Sequence, residues 1–243
     1  MFEKVGIVGA GTMGAGIMIN CVTHGVEVVM CDRSEETLQR AKLKLDKYLK
    51  RQIEKERFTA EGANAIKTLL RTSSDVSGLA DCELVIEAVF EDLDLKRRIF
   101  ADLETVVTEN AVLATNTSCL RLADIGENIA KPDRFCGMHY FSPAEINPVV
   151  ELIRCEETSD ATFSAVSDFL QGTKKQEIPC RDNNGFALNR FFCPYTNEAV
   201  RLLDEGVATV GQLDEIVKEC FGLALGPFAV MNIVGLPTSM KAQ

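Results

Sequence analysis

The stretch Gly9-Ala10-Gly11-Thr12-Met13-Gly14 limits what this chain can fold into more than any other. The apolar run Lys4 to Val8 leads into it. Thr12 to His24 follows, with Met13, Ile17 and Cys21 at helical spacing and Gly25 as a stop. Three glycines between a strand and a helix make a loop that can meet a pyrophosphate. Gly9 permits the tight turn, Gly11 lets phosphate approach the backbone, and Gly14 lets the helix pack closely on the strand. The helix start, with Thr12 and Met13, offers unpaired N–H groups to that anion. Glycines alone would serve any tight turn, so the acid that follows matters. The second strand, Glu27 to Cys31, ends at Asp32, 18 residues beyond Gly14, near the ~20 expected of a ribose-binding carboxylate. Such a carboxylate accepts hydrogen bonds from the adenosine ribose and repels a 2′-phosphate, so NAD is expected over NADP. Arg33 beside it works in the other direction, because an arginine accommodates that phosphate.

Strand and helix patterns keep alternating. Leu84 to Val89, Val112 to Thr115, Arg134 to Tyr140 and Pro148 to Ile153 are further strand-like runs. The expected architecture is α/β: a doubly wound, Rossmann-type domain with a parallel sheet covered by helices. A helical insertion at about 35–70 interrupts it. Within Glu35 to Arg57, Leu38, Ala41, Leu45 and Leu49 recur at helical spacing, and Arg40, Lys42, Lys44, Lys47, Lys50 and Arg51 make a basic concentration. Such a face serves either solvation or an anionic ligand. After Cys180 strand patterns stop, and Phe186 to Gly206 and Gln212 to Phe221 read as helices. Turn residues cluster between Arg181 and Gly185, which places a boundary between residues 1–183 and a short all-helical domain, 184–243.

Composition removes several function classes. A formal net charge of −10 argues against a nucleic-acid partner. No apolar run approaches the ~20 residues of a membrane span, so no membrane partner is expected. The first residues lack the basic start and cleavage site of a signal peptide. Nine cysteines are scattered without a Cys-x-x-Cys pair, which suits reduced thiols in a cytoplasmic protein. Neither His24 nor His139 has a cysteine at zinc-finger spacing, so no metal is expected.

The chemistry would come from polar residues outside the glycine loop. Asn116-Thr117-Ser118 follows a buried strand, where open parallel sheets bind ligands. His139 stands in Gly137-Met138-His139-Tyr140-Phe141-Ser142-Pro143, at another strand end. Twelve residues on, Glu151 is the one acid in an apolar run. A carboxylate on a buried strand needs a partner, and His139 is the natural candidate.

With these motifs in order, the chain resembles the 3-hydroxyacyl-CoA dehydrogenase family, its 3-hydroxybutyryl-CoA dehydrogenases included. The resemblance runs from Phe2 to about Leu236. It takes in Gly16, Glu87-Ala88-Val89, Glu91, Lys96, Asn184-Gly185-Phe186-Ala187-Leu188-Asn189-Arg190 and Gly226-Pro227-Phe228. It implies NAD-dependent oxidation of an (S)-3-hydroxyacyl-CoA to the 3-oxoacyl-CoA in fatty-acid metabolism (β-oxidation). His139 would be the general base and Glu151 its orienting acid. Ser118 and Asn189 would hydrogen-bond the substrate oxygen. Ala88, Val89, Glu91 and Lys96 would contact the cofactor, and Asn116 would lie near the nicotinamide. The charged insertion resembles the helical hairpin that meets coenzyme A, with Arg40 and Lys42 as contacts. The resemblance also implies a homodimer through the helical domain, and fusion with or proximity to an enoyl-CoA hydratase.

Some residues have plainer readings. Ser118 would equally cap a following helix, and Cys119, Cys136 and Cys193 read as small core hydrophobes. Asn184 stands where the family commonly has proline, Asn232 where it has an acid, and the helical domain is expected to be short. Two rival functions share the cofactor domain: a non-catalytic NAD-binding relative, and a dehydrogenase of another small hydroxy acid.

Overall fold

The computed structural model describes residues 2–235. Residues 236–243, with the Leu236 and Pro237 of the expected helical domain, lie outside the described residues. Two compact units divide the chain between Asn183 and Asn184.

The first unit contains β1 (Lys4–Val8), α1 (Thr12–Thr23), β2 (Glu27–Cys31), α2 (Glu35–Glu54), α3 (Ala60–Thr68) and β3 (Leu70–Ser73). It continues with β4 (Leu84–Glu87), α4 (Leu93–Glu104), β5 (Val112–Thr115), α5 (Leu122–Ile125), β6 (Phe135–Tyr140), β7 (Val149–Arg154), α6 (Asp160–Gly172) and β8 (Gln176–Arg181). The eight strands form one sheet in the order β3-β2-β1-β4-β5-β6-β7-β8. The order reverses at β1, which makes the crevice between β1 and β4 the switch point of a doubly wound sheet. β1, β2, β4 and β5 are buried on both faces, as parallel strands covered by helices must be.

Three expectations need correction. The sheet is not wholly parallel, because β7 runs antiparallel to β6. It also has two strands that the apolar pattern missed. β3 (Leu-Arg-Thr-Ser) and β8 (Gln-Glu-Ile-Pro-Cys-Arg) lie at the two edges, and neither contains a fully buried residue. An edge strand need not be apolar, and Pro179 is tolerated there. Finally, α1 buries more than the row of Met13, Ile17 and Cys21 that its spacing picks out: Gly14 to Val22 are all buried, because α1 packs on the sheet while α2 and α3 cover it from outside.

The insertion is a helical pair. In α2, Leu38, Ala41, Leu45 and Leu49 are buried, and the Ser34 hydroxyl accepts from Thr37 N at 3.2 Å to cap the helix start, where Glu35 and Glu36 oppose the dipole. These apolar residues join α1 and the sheet in one core.

The second unit, taken by itself, holds α7 (Leu188–Asp204), α8 (Val210–Phe221) and α9 (Pro227–Val234) among the described residues. Thr209 and Gln212 form a reciprocal capping box at the start of α8. The Asp214 carboxylate, on α8, accepts from Phe228 N (2.9 Å) and Ala229 N (3.1 Å) at the start of α9.

Candidate active site

The glycine loop and Asp32 are bonded to one another. Gly9 N donates to Cys31 O at 2.8 Å. The Asp32 carboxylate accepts from Ala10 N (2.8 Å) and Ser34 N (2.9 Å), which fixes the acid at the mouth of the loop. Two glycines are needed for close packing. A Cβ on Gly14 would lie 1.9 Å from Gly9 O, and one on Gly9, at φ +102°, would lie 2.6 Å from Ala88 O. Gly11 is the opposite case, with nothing within 4 Å of a Cβ position. It stands at the N-cap of α1 with no side-chain cap, so the first N–H groups of α1 face that space. A crowded loop, an open cradle at a helix start and an anchored carboxylate are the donor set that a dinucleotide pyrophosphate and ribose require, so the residues present fit NAD. Thr12 is exposed, Met13 half-buried, and Ala88 and Val89 half-buried beside the loop; Arg33 is exposed next to Asp32.

The ends of β4 and β5 meet around two acids. Glu87, wholly buried, receives Lys96 Nζ on both oxygens (2.8 and 2.9 Å), Thr115 Oγ1 (2.7 Å) and Val89 N (2.7 Å). Glu91 receives the Thr117 hydroxyl, Ser118 N (2.8 Å) and Cys119 N (3.1 Å), and lies 3.3 Å from Lys96 Nζ. Burial works to raise the Glu91 pKa. Lys96 and these donors outweigh it and bring the group down to about 2. Lys96 is 1% exposed and engaged by both acids. Ser118 does not cap a helix. The N–H groups of Leu122 and Ala123, at the start of α5, are taken by the Asp182 carboxylate at 2.8 and 2.9 Å. Cys136 is a core residue as expected. Cys119 is half-buried and belongs to the Glu91 turn, and Cys193 is half-buried on α7.

His139 and Glu151 sit directly opposite each other on β6 and β7. Their side chains therefore share a face, and His139 Nδ1 meets Glu151 Oε2 at 2.8 Å. Both are buried, at 7% and 1% exposure. The Phe141 ring meets the imidazole edge-on at 4.8 Å between centroids. The other carboxylate oxygen, Oε1, is 3.7 Å from the Cys180 thiol on β8, a neighbour that sequence spacing gave no reason to name. Tyr140 N donates to Asn116 Oδ1 at 2.9 Å, which ties the end of β6 to the Ser118 turn. The parallel strands β1, β2, β4, β5 and β6 thus bring the glycine loop, Asp32, Ala88, Asn116, Ser118 and His139 together at their carboxyl ends.

The remaining predicted residues lie elsewhere. Asn189 is in the first turn of α7, in the second unit. Arg40 is exposed on α2 and donates to Thr37 Oγ1 at 3.1 Å; Lys42 is half-buried on the same helix. Among the described residues there is no group of three or more metal-ligating side chains, and no helix long and apolar enough to cross a membrane.

Comparison with known proteins agrees in both units. The profile described as "3-hydroxyacyl-CoA dehydrogenase, NAD binding domain" matches residues 4–183, and "3-hydroxyacyl-CoA dehydrogenase, C-terminal domain" matches residues 185–243. The chain belongs to the 3-hydroxyacyl-CoA dehydrogenase family. It is accordingly an NAD-dependent enzyme with a Rossmann-type domain and a helical C-terminal domain. Among its relatives is the mitochondrial hydroxyacyl-coenzyme A dehydrogenase of Mus musculus, 36% identical over 98% of this chain and 78% of the relative. A 3-hydroxybutyryl-CoA dehydrogenase of Mycobacterium tuberculosis is 35% identical over 97% of this chain and 83% of the relative. The crystal structure of (S)-3-hydroxybutyryl-CoA dehydrogenase from Ralstonia eutropha superposes with a TM-score of 0.95, at 36% identity, covering 100% of this chain and 86% of that one.

Proposed function

We propose that this dehydrogenase oxidises the 3-hydroxyl of an (S)-3-hydroxyacyl-CoA to the 3-oxo thioester, with His139 as general base. The observation that carries this reading is the buried 2.8 Å bond between His139 Nδ1 and Glu151 Oε2. With its Nδ1–H committed to the carboxylate, the neutral ring has its lone pair on Nε2, where it can accept the hydroxyl proton. Glu151 holds the ring in that tautomer and stabilises the imidazolium that forms. NAD, when bound, supplies the acceptor for the hydride that leaves C3. In the reverse direction the imidazolium returns its proton to the substrate oxygen. Ser118, together with Asn189 by resemblance, donates hydrogen bonds to that oxygen and steadies the charge developing on it. Glu91 and Lys96 hold the Ser118 turn in shape, and with Ala88, Val89 and Asn116 they are proposed to meet the cofactor.

The exposed Arg40 and the half-buried Lys42 on α2 are proposed to meet the phosphates of coenzyme A. A homodimer through the helical unit, proximity to or fusion with an enoyl-CoA hydratase, and a cytoplasmic setting belong to the same proposal.

The test is oxidation of NADH with acetoacetyl-CoA, with free acetoacetate run beside it. Turnover of the thioester alone, abolished in His139→Gln, is the expected result. Normal rates in that variant would reject His139 as the base. NADH binding without turnover would indicate a non-catalytic relative, and reduction of the free acid would indicate a hydroxy-acid dehydrogenase.

A further inference from the structure

α2 and the loop that follows β6 are far apart in sequence, yet one ion pair joins them. Lys44 Nζ lies 3.0 Å from Glu145 Oε1 and 3.2 Å from Glu145 Oε2, across 101 residues of chain. The same ammonium is 3.4 Å from Thr12 O, at the start of α1. The Glu145 side chain is 9% exposed and that of Lys44 34%. A carboxylate so covered needs a partner, and losing one costs more than losing an open surface pair.

The loop itself is firmly built. Pro143 O accepts from Ile146 N (2.9 Å) and Asn147 N (2.8 Å). From the other side, buried Lys175 donates to Ala144 O and Asn147 O, both at 2.7 Å. Helix α1 passes against it so closely that a Cβ on Gly16 would lie 2.6 Å from Glu145 Oε2 and 3.0 Å from Ala144 Cβ. His139 is followed by Tyr140 and Phe141, and the chain then enters this loop. The pair thus connects a hydrogen-bonded segment continuous with the proposed base to the helix that carries Arg40 and Lys42.

We propose that Lys44 and Glu145 are positioning residues: their ion pair latches α2 to the loop after His139 and so sets the affinity for the acyl-CoA thioester. This rests on the assignment of α2 to coenzyme A. Of the cations on α2, Lys44 is then internal hardware, and its charge is not presented to the ligand. A lysine that instead bound a phosphate directly would show the opposite behaviour when its acidic partner was neutralised.

That difference in sign gives the test. KM for acetoacetyl-CoA, KM for NADH and kcat are measured for Lys44→Met, Glu145→Gln and the charge swap Lys44→Glu with Glu145→Lys. Far-UV circular dichroism reports the fold of each. The latch predicts a ~tenfold rise in KM for the thioester in both single variants, with kcat and KM for NADH changed less than about threefold, and recovery to within about threefold of the parent in the swap. A lower or unchanged thioester KM in Glu145→Gln overturns it, as does a swap no better than the single variants. Arg40→Ala with Lys42→Ala, made with the latch intact, tests the underlying assignment separately. An unchanged thioester KM there withdraws coenzyme A from α2 itself, whatever the latch variants show.

Discussion

Replacing Lys96 by methionine tests the buried centre of the site. In Lys96→Met the Glu87 carboxylate, with no exposed surface, loses both bonds to the ammonium at 2.8 and 2.9 Å. Only the Thr115 hydroxyl and Val89 N remain as its donors, each at 2.7 Å. Two neutral donors do not offset the desolvation of a full charge, and breaking a buried pair from one side costs about 3–5 kcal/mol. Glu91 loses its 3.3 Å contact to the same ammonium and adds to the deficit. For a chain of this length each kcal/mol moves Tm by ~2–4 °C, so a fall on the order of 10 °C is expected. The protein has no tryptophan, so urea and thermal unfolding are best followed by far-UV circular dichroism. Adding Glu87→Gln to Lys96→Met should restore part of the loss, since a neutral amide is no longer an uncompensated charge and can still accept from Thr115. If Lys96→Met lies within about 1 kcal/mol of the parent, or the double variant is as unstable as the single, the argument from buried charge is wrong.

Two further outcomes are expected. Glu91 titrates at about 2 against an ordinary 4.5, so its contribution is complete above pH 4.5 and lost as pH falls from there towards 2. Glu91→Gln should be less stable than the parent at neutral pH by on the order of 3 kcal/mol, and denaturant titrations should show the gap closing across that window; a gap unchanged at the acid end would contradict the assignment. The two loop glycines should respond differently to alanine. Gly14→Ala, with its Cβ 1.9 Å from Gly9 O, should lose ~1–3 kcal/mol of stability along with NADH binding. Gly11→Ala should keep its stability and lose NADH affinity alone, as read by NADH fluorescence.

How much was legible depended on burial. β1, β2 and β5 match their apolar runs residue for residue, because strands covered on both faces carry no polar interruption. The direction of β7 left no trace, since Val149–Arg154 would look the same in either orientation. β3 and β8 were hidden because an edge strand need bury nothing. The pairing of His139 with Glu151 was readable from one principle, that an acid on a buried strand requires a partner. The same principle applied to Glu87 at the end of β4 would have found Lys96, nine residues on. No local pattern announces Lys44 with Glu145, or Cys180 beside Glu151, because each joins elements that only the sheet order brings together.

Asp182 gives α5, the helix after the Ser118 turn, a dependence on chain synthesis. The helix that begins just after this turn has its first two N–H groups held by a carboxylate 60 residues downstream of Leu122, beyond the last strand of the sheet. A nascent polypeptide emerging from the ribosome can lay down the nucleotide loop early, from its first residues. The start of α5 is held only once translation has passed β8, so a chain interrupted before that point would retain the glycine cradle while these two N–H groups still lacked their carboxylate.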